Sequence, residues 1–571
     1  MENKEFHSKA RKYRDALYSP LADDEEELLP DKRKDPRPFR PSSSRMDPLL
    51  SAIGFNIHLQ VFSLTSITSS PSGMATAVPT ALFQNVTCGA PADHFRGFSS
   101  KVLDDKDFAG GLRRLEASRV ALAERVKEHQ NLLINTVSAY YSDQNQRRII
   151  PGRSLRHIPP SEHDIANIRA MCFETTQKLH SMTWEIASRR GNVFSQALGI
   201  GVSLYLAHVS DLAKLQKAAW AELWCRHGFL ITFEGLLSAA GKELGMIEDA
   251  SVGIAMLRMV SVMFVTDSDS TRRDNQSDKF KIVDSPYLEW LRISPSGEGK
   301  NTQYLVEICV DANFYAQRIP APLKNQQTVR FYPILYQMGV DIRQWGANAG
   351  ANFGKKSNEA QDELDEDEVG IPDNDFLMEL NFEALRKMNA YAHAVYLCGD
   401  PQNPQQLLGV TWEQAHFDDQ QIRQPIHPML NSLYSFIRSS ATKIEHGILD
   451  EAAFAAAKLG GGSAIFCKSG KDRTAMQVTF KQSQFVNRFI KSGGDGFAEC
   501  DADSDKIFSD ATTMRVYGTR LPICDKNVGQ SLYAFNSLQA RFMPDPLKPP
   551  PRALAGFLKG GRVFTGGAIE S

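Results

Sequence analysis

The sequence lacks most of the features that mark secreted, membrane-spanning or nucleic-acid-binding proteins. Its eight cysteines are scattered without a Cys-x-x-Cys pair, and the N-terminus, MENKEFHSKARKYRDALYSP, has no apolar core of the kind a secretory signal needs. The longest apolar window, residues 197–207, is far shorter than the roughly 20 residues of a transmembrane helix. The formal net charge is only -2, so no overall field favours nucleic acid. We therefore expect a cytoplasmic protein with reduced thiols, no transmembrane segment and no nucleic-acid partner.

Metal and nucleotide signatures are missing as well. The 13 histidines form neither a His-x-x-x-His pair nor a cluster with cysteines, so the sequence predicts no metal site and no cofactor. The Gly470-Lys471 pair does not belong to a nucleotide-binding loop, because Asp472 stands where that loop needs Ser or Thr and Ile465 where it needs its first glycine. Composition is otherwise ordinary for a globular protein, with 42% hydrophobic and 23% charged residues.

Changes in composition divide the chain into five regions. We predict a charged, Pro-rich disordered tail (1–47), a short β or loop region (48–110), a helical region (111–256), a mixed domain (257–545) and a Pro/Gly-rich tail (546–571). Stretches rich in β-branched and aromatic residues at 256–266, 304–310 and 328–338 predict strands in the mixed domain, and an acidic run at 358–370 predicts a solvated loop. The expected fold class is α/β and rich in helix, with a helical region before the α/β core.

One short stretch, SAIFCKSGKDRTAMQ at 463–477, concentrates a thiol and positive charge on a single turn. SAIF is a strand candidate, and apolar residues recur on one helix face from Thr474 onward. The residues from Cys467 to Arg473 then form a strand-to-helix turn, whose backbone N–H groups at a helix N-terminus suit an anion. Gly470 allows the backbone to curl where a Cβ would clash.

The side chains of this turn are suited to nucleophilic attack on a phosphate. A cysteine at a helix N-terminus beside two lysines and an arginine favours its thiolate form, which makes Cys467 a nucleophile. Arg473 can direct two N–H donors at the phosphate that Cys467 attacks, and Thr474 can hydrogen-bond to the departing sulfur. The Cys-x5-Arg-Thr spacing resembles that of cysteine phosphatases, which form a phosphocysteine and then hydrolyse it without a metal. The alternative is a buried structural cysteine beside a solvated basic turn.

The remaining residues of the turn bear on the substrate and on proton transfer. Lys468 and Lys471 supply more positive charge than a single phosphate needs, so they predict a multiply phosphorylated headgroup, unless they are solubilising surface lysines. Ser469, Gly470 and Thr474 are expected to bind the substrate as part of the same loop. Asp472 could be the general acid that protonates the leaving oxygen. Alternatively, this carboxylate pairs with a lysine or arginine of the loop, and the acid comes from a distant loop.

With these residues in view, the chain resembles the inositol polyphosphate 4-phosphatases. Their signature is Cys-Lys-Ser-Ala-Lys-Asp-Arg-Thr, and CKSGKDRT at 467–474 differs only by glycine at position 470. Bacterial effector phosphoinositide phosphatases share the glycine form. Other blocks resemble the eukaryotic family, namely GLLSAAGKELGMIEDA (235–250), VRFYPILYQMGV (329–340), NVG (527–529) and YAFNSLQ (533–539). The resemblance covers roughly residues 220–545.

The resemblance implies a cysteine-phosphatase-like core, with 257–545 as the catalytic domain. It implies removal of the D4 phosphate from phosphatidylinositol 3,4-bisphosphate without a metal ion, leaving the 3-phosphate. By position, Cys467 resembles the family's nucleophile and Arg473 its phosphate-binding arginine, while Lys468 and Lys471 match its two loop lysines.

The implied partner is a phosphoinositide headgroup at a membrane surface, or a soluble inositol polyphosphate. Animal members of the family carry an N-terminal C2 domain, and residues 48–110 are too few for a complete one. We therefore expect peripheral attachment to an endosomal or plasma membrane through the basic loop or through a partner. The alternatives are a different phosphoinositide specificity, a phosphotyrosine specificity, or a module that binds phosphoinositides without catalysis.

Overall fold

The structure is a computed structural model that describes most of the central chain. It describes residues 50–54, 57–69, 75–92, 110–149, 160–215, 219–239, 241–267, 279, 287–296, 303–339, 374–397, 426–440, 445–494, 496–497, 504–528, 531–535 and 543–554. The predicted tail (1–47), the predicted acidic loop (358–370) and the end of the C-terminal tail (555–571) lie outside these residues, and the boundaries of the predicted domains remain predictions.

The described residues contain long helices before the core and shorter ones within it. The helices are α1 (Leu112–Ile149), α2 (Glu162–Leu215), α3 (Ala219–His227), α4 (Gly241–Met256), α5 (Ala312–Arg318), α6 (Asn374–Leu397), α7 (Asn431–Ser439), α8 (Gly447–Lys458), α9 (Asp472–Ser492), α10 (Ser504–Tyr517) and α11 (Arg520–Val528).

The strands form one mixed sheet. They are β1 (Leu50–Gly54), β2 (Ile57–Ser69), β3 (Ala75–Gly89), β4 (Phe229–Gly235), β5 (Val260–Val265), β6 (Leu288–Ser296), β7 (Gln303–Val310), β8 (Val329–Gln337) and β9 (Gly462–Cys467). Their order across the sheet is β1-β2-β3-β9-β4-β8-β5-β7-β6. The four adjacent strands β3, β9, β4 and β8 run parallel, so their carboxyl ends lie at one edge.

Helices cover both faces of the sheet at its parallel central strands, as buried parallel strands require. On one face, α2 and α4 bury residues such as Tyr205 and Ile247 against Phe229 and Phe233 of β4. On the other face, α6, α8 and α9 pack against the opposite side chains of β4, β8 and β9. The fold class predicted from the sequence, α/β and rich in helix, is therefore confirmed.

The sequence-based prediction of individual elements was right for some and wrong for others. The three strand candidates correspond to β5, β7 and β8. The prediction of a helical region over 111–256 was wrong at Phe229–Gly235, which forms β4. All seven residues of β4 are buried, because the strand lies in the middle of the sheet with helices on both faces. A buried strand of this kind is a continuous apolar run, which periodicity alone does not distinguish from helix.

Two further findings concern thiols and the membrane. Among the described residues, Cys88, Cys172, Cys225, Cys309, Cys467 and Cys524 are free thiols.

The described helices include one, spanning Glu162–Ser210, that is long and apolar enough to cross a bilayer by length and composition. Of its most apolar 18-residue window, 72% is buried inside the protein, and a core helix passes the same test.

Candidate active site

The predicted turn lies at the carboxyl edge of the parallel strands. The backbone N–H of Ala90, just after β3, donates to the Cys467 carbonyl at 2.9 Å, and the N–H of Leu236, just after β4, donates to the Phe466 carbonyl at 2.8 Å. The end of β9 is therefore held from both sides. Ligands of open α/β sheets commonly bind at this edge, outside the carboxyl ends of the strands.

The turn joins β9 directly to α9, as the sequence predicted. Cys467 is the last residue of β9, and α9 begins at Asp472. Gly470 has φ +71°, in the left-handed region that favours glycine. A Cβ on Gly470 would lie 2.4 Å from the backbone carbonyl of Cys88, so the turn rests against β3 at a point where only glycine fits.

Arg473 is held by a carboxylate from a distant part of the chain. Its Nη1 donates to Glu243 Oε2 at 2.6 Å and to the Leu236 carbonyl at 2.8 Å, and its Nη2 donates to Glu243 Oε1. Glu243 lies in the first turn of α4 and also accepts from the Ser238 N–H at 2.7 Å. Because the guanidinium is planar, this bidentate pair fixes its orientation.

The charge on Glu243 is balanced by this environment. Burial by itself would raise the pKa of the carboxyl, but the charge and hydrogen bonds of Arg473, the Ser238 N–H and the charge of Lys468 together hold the pKa below its usual value. Glu243 is therefore an anion that neutralises part of the positive charge of the turn and orients Arg473.

The two lysines of the turn lie in different environments. Lys468 is exposed at the rim and Ser469 beside it is half-buried, whereas Lys471 is fully buried. Burial excludes the interpretation of Lys471 as a solubilising surface residue. Its Nζ lies 3.1 Å from Asp472 Oδ2 but makes no hydrogen bond of acceptable geometry with the described residues. The buried Oγ1 of Thr474 also has no hydrogen-bond partner among the described residues.

Asp472 makes contacts on both sides of its carboxylate. Oδ1 accepts from the backbone N–H of Ala534 at 2.9 Å, and Oδ2 faces Lys471. These contacts match the alternative considered from the sequence, in which the carboxylate pairs with a cation of the loop. They also connect the start of α9 to the segment around Tyr533, one of the blocks that carried the family resemblance.

A buried arginine supports the turn from beneath. Arg520, at the start of α11, donates to the Gly470 carbonyl at 3.2 Å, to Thr87 Oγ1 at 3.1 Å and to Gln60 Oε1 at 3.3 Å. Burial lowers its pKa, and the nearby Cys524, Tyr533, Cys467 and Asp472 oppose that shift. Arg520 therefore ties the loop carbonyl to β2 and β3.

Sequence reasoning identified every residue of the turn but missed the residues that support it. Glu243 lies within a block that resembles the family, but the sequence predicted no role for it or for Arg520. A signal for Glu243 did exist, since GKELGMIEDA places a carboxylate in the first turn of a predicted helix. No local pattern marks Arg520, because two of its three acceptors, on Gln60 and Thr87, lie more than 400 positions away in the chain.

The described residues also contain one group of side chains of metal-ligand type, away from the turn. Asp267, Glu289 and Cys309 have ligand atoms within 4.8 Å of one another. The carboxylates are exposed, and Asp267 already accepts from Trp290 Nε1 at 2.8 Å. Sequence reasoning missed this group because Glu289 lies on β6, Cys309 on β7 and Asp267 just after β5, and the three come together only when β7 pairs with both strands. Exposed carboxylates beside a thiol do not establish a metal site.

Comparison with known proteins gives consistent matches. A family model described as the INPP4A C-terminal domain matches residues 166–369. Type II inositol 3,4-bisphosphate 4-phosphatase of Pongo abelii is 27% identical over 366 residues, which is 63% of this chain and 32% of that protein. The human inositol polyphosphate 4-phosphatase type II is 27% identical over 362 residues, with the same shares. The predicted resemblance to this family is thereby confirmed. The chain spans about a third of the length of these relatives.

Solved structures give weaker overlaps. The alignment with one Legionella phosphoinositide phosphatase covers 85% of this chain and 65% of the Legionella chain, at 8% identity and with a TM-score of 0.27. The alignment with the Legionella phosphoinositide phosphatase SidF covers 84% of this chain and 70% of the SidF chain, at 10% identity and with a TM-score of 0.26. Scores this low establish no shared architecture.

Proposed function

We propose that the chain is a phosphoinositide phosphatase that removes the D4 phosphate of phosphatidylinositol 3,4-bisphosphate through a phosphocysteine, without a metal ion. The observation that carries this proposal is the turn itself. Cys467 ends a parallel strand, and Arg473 lies in the first turn of the next helix with its guanidinium held by Glu243. The names of the relatives, which specify inositol 3,4-bisphosphate 4-phosphatases, support the choice of substrate.

In the first step, the thiolate sulfur of Cys467 attacks phosphorus and forms an S–P bond while the P–O bond to the inositol breaks. The leaving oxygen takes up a proton, and the dephosphorylated headgroup departs. Water then attacks the phosphocysteine, which releases inorganic phosphate and restores the thiolate. Both transition states spread charge over the phosphoryl oxygens, which backbone N–H groups at the start of α9 and the Arg473 guanidinium stabilise.

Arg473 supplies geometry as well as charge. Glu243 binds the edge of the guanidinium formed by Nη1 and Nη2. Since the group is planar, fixing that edge also fixes the direction of the Nε–Nη2 edge, a second pair of donors that matches two phosphate oxygens. We assign this second edge to the phosphate that is transferred.

The lysines and Thr474 have separate tasks in the proposal. Lys468, exposed at the rim, contacts the rest of the phosphorylated headgroup, with Ser469 and Gly470 forming the wall of the loop. Lys471 raises the positive potential of the loop from inside. Thr474, whose hydroxyl has no hydrogen-bond partner in the part of the chain that the structure describes, donates that hydroxyl to the sulfur as it departs in the second step.

Asp472 is the remaining candidate for proton transfer. As a general acid it would protonate the inositol oxygen. As a positioning carboxylate it would instead hold the Lys471 side chain and the Ala534 backbone against the loop. An Asp472→Asn variant distinguishes the two, because an aryl phosphate has a good leaving group and needs no acid.

The Asp472 comparison uses two substrates and one variant. A general acid predicts a loss of kcat of about 100-fold or more on the inositol lipid with a much smaller loss on an aryl phosphate. Equal losses on both substrates exclude the general-acid role and leave Asp472 as a positioning residue.

The proposed activity is tested by a substrate panel in the presence of EDTA. Phosphate release is measured from vesicles that carry the 3-, 4-, 3,4-, 4,5- or 3,4,5-phosphorylated lipid, from soluble inositol 3,4-bisphosphate and from a phosphotyrosine peptide. We expect the 3,4-isomer to be preferred and Cys467→Ser to abolish release. Preference for the 4,5-isomer or the peptide would contradict the proposed substrate, and absence of turnover with retained lipid binding would favour a non-catalytic module.

The place of action is part of the proposal. A phosphoinositide headgroup is presented at a membrane surface, so we propose a cytoplasmic protein that binds peripherally to endosomal or plasma membranes. Sedimentation with vesicles containing phosphatidylinositol 3,4-bisphosphate tests this, and equal sedimentation with uncharged vesicles would contradict it.

A further inference from the structure

A second pocket lies away from the turn, between α4, α6, β8 and the start of α1. Its volume is about 260 Å3. Helix α4 connects the two places, because its first turn carries Glu243 while Ser251, Ile254 and Ala255 from its last turns line this pocket. None of the residues of the Cys467 turn lines it.

Two arginines at the rim of this pocket have aromatic rings as partners. The Arg113 guanidinium lies 5.0 Å from the centre of the Phe376 ring, and that of Arg258 lies 6.0 Å from the centre of the Tyr332 ring. Across the described part of the chain, neither arginine forms an ion pair with a carboxylate. Both arginines are exposed, so the rings hold the cations in place while their N–H donors face solvent at the mouth of the pocket.

A lysine on α6 adds positive charge to the same pocket. Lys387 Nζ lies 3.3 Å from Glu383 Oε1, but Glu383 also pairs with Arg386. Burial, together with the charges of Arg258 and Arg386, lowers the pKa of Lys387 to about 8. The remaining carboxylate of the lining is Glu379, so the three cations of the pocket exceed its two carboxylates.

The walls of the pocket between these charges are apolar. The apolar lining consists of Ile254, Pro333, Leu335, Phe376 and Leu380. An inorganic anion would contact the cations and leave these walls unused. An apolar molecule would fill the walls and leave the two exposed arginines at the mouth of the pocket paired only with solvent.

We propose that this pocket binds a small organic anion, in which a carboxylate or a phosphate is joined to a short apolar group. The anion accepts hydrogen bonds from Arg113, Arg258 and Lys387, and the apolar part lies against Pro333, Leu335 and Phe376. Small-molecule sites generally combine apolar walls with a few fixed polar groups in this way. The proposal does not rest on the proposed phosphatase activity, since it uses other residues.

The test uses the full chain with Cys467→Ser, so that no probe is hydrolysed. Binding of hexanoate, hexyl phosphate, hexanol and hexylamine is measured by calorimetry and by chemical shift changes. We expect the two anions to bind with Kd of about 10 μM to 1 mM, in keeping with their size, and hexanol and hexylamine to bind at least about tenfold more weakly. The stronger of the two anions identifies the head group, carboxylate or phosphate.

Two variants locate the site. Arg258→Gln removes one rim cation and should weaken anion binding about tenfold or more, the effect of losing one charge-assisted contact. Arg330→Gln is the matched control, because Arg330 is an exposed arginine on β8 that does not line the pocket. Equal binding of hexanol and hexanoate, equal effects of the two variants, or no anion binding at millimolar concentration would each overturn the proposal.

Discussion

At the scale of single residues, the turn depends on side chains that the chain supplies from far away. Cys467, Arg473 and their neighbours follow one another in the sequence, and the spacing alone predicts their chemistry. Glu243 and Arg520, which fix Arg473 and Gly470, come from other elements. A sequence pattern detects groups that are close in the chain, whereas these contacts arise only when β4, α4 and α11 meet at the end of the sheet.

The pair of Glu243 and Arg473 predicts how stability depends on pH. The folded-state pKa of Glu243 lies below its ordinary value of 4.5, so its stabilising contribution is complete above that pH and is lost as pH falls through the folded-state pKa. Glu243→Gln keeps hydrogen bonding but removes the charge, and we expect it to lower the free energy of unfolding by about 1–3 kcal/mol at pH 7. Urea unfolding at pH 7 and below pH 4 measures the difference.

Wild type and Glu243→Gln should become similar in stability in acid, because the wild-type carboxyl is then protonated as well. A stability difference that stays constant down to acid pH would show that the charge of Glu243 is not what holds Arg473. Activity at neutral pH should fall about tenfold or more in the variant, since Arg473 is no longer oriented.

Arg520 is expected to act as a positioning residue. A lysine in its place cannot reach Gly470, Thr87 and Gln60 together, so the loop carbonyl loses its donor. We predict that Arg520→Lys lowers kcat about 10- to 100-fold while KM for the lipid changes less than about threefold, because Arg520 does not touch substrate. Steady-state kinetics on vesicles measures both.

Arg515→Lys is the matched control for Arg520. Arg515 is equally buried, but it binds carbonyls of α9 and of the segment around Pro546 rather than the loop. The Arg515→Lys variant should be less stable than the wild type but keep most of its kcat. If both variants lose kcat to the same extent, general destabilisation explains the effect and the positioning role of Arg520 is wrong.

At the scale of elements, a buried ion pair fastens α9 to the sheet. Lys481 of α9 donates to Glu234 of β4, and both side chains are fully buried. Burial raises the pKa of Glu234, and the charge of Lys481 opposes this. The pair places α9 against the strand that adjoins β9, so the helix N-terminus faces the end of β9.

Breaking this pair from one side should destabilise the protein strongly. Lys481→Met leaves a buried carboxylate without its partner, and we expect a loss of about 3–5 kcal/mol in the free energy of unfolding. The double variant Glu234→Leu/Lys481→Met removes both charges and should recover most of that loss. Chemical denaturation of the two variants measures the difference, and a double variant less stable than the single one would contradict the expectation.

Element prediction from the sequence succeeded where pattern and environment agree. The β9-turn-α9 unit combines a short apolar run, a glycine and an amphipathic helix, all of which are local signals. β4 was taken for helix because a fully buried strand has no alternation, and its neighbours β9 and β8 lie about 100 to 230 residues further along the chain. The burial of β4 therefore depends on the strands beside it in the sheet and cannot be read from its own seven residues.

At the scale of the whole molecule, one sheet joins regions that the sequence suggested were separate. β3, from the region 48–110, lies directly beside β9 and contacts the turn at Gly470. The pairing joins residues such as Asn85 and Ser463, and no periodicity reports on a contact across that distance in the chain. The predicted domain boundaries stay predictions, but the N-terminal strands belong to the sheet that carries the turn.

The central claim is that Cys467 attacks the D4 phosphate, and trapping the intermediate tests it most directly. The full chain is mixed with phosphatidylinositol 3,4-bisphosphate that carries a radiolabel on the D4 phosphate, in EDTA, and quenched within milliseconds. We predict label bound to the protein as phosphocysteine at Cys467, located by peptide mass spectrometry, and none in Cys467→Ser. Turnover without protein-bound label, label on another residue, or label that persists in Cys467→Ser would contradict the account.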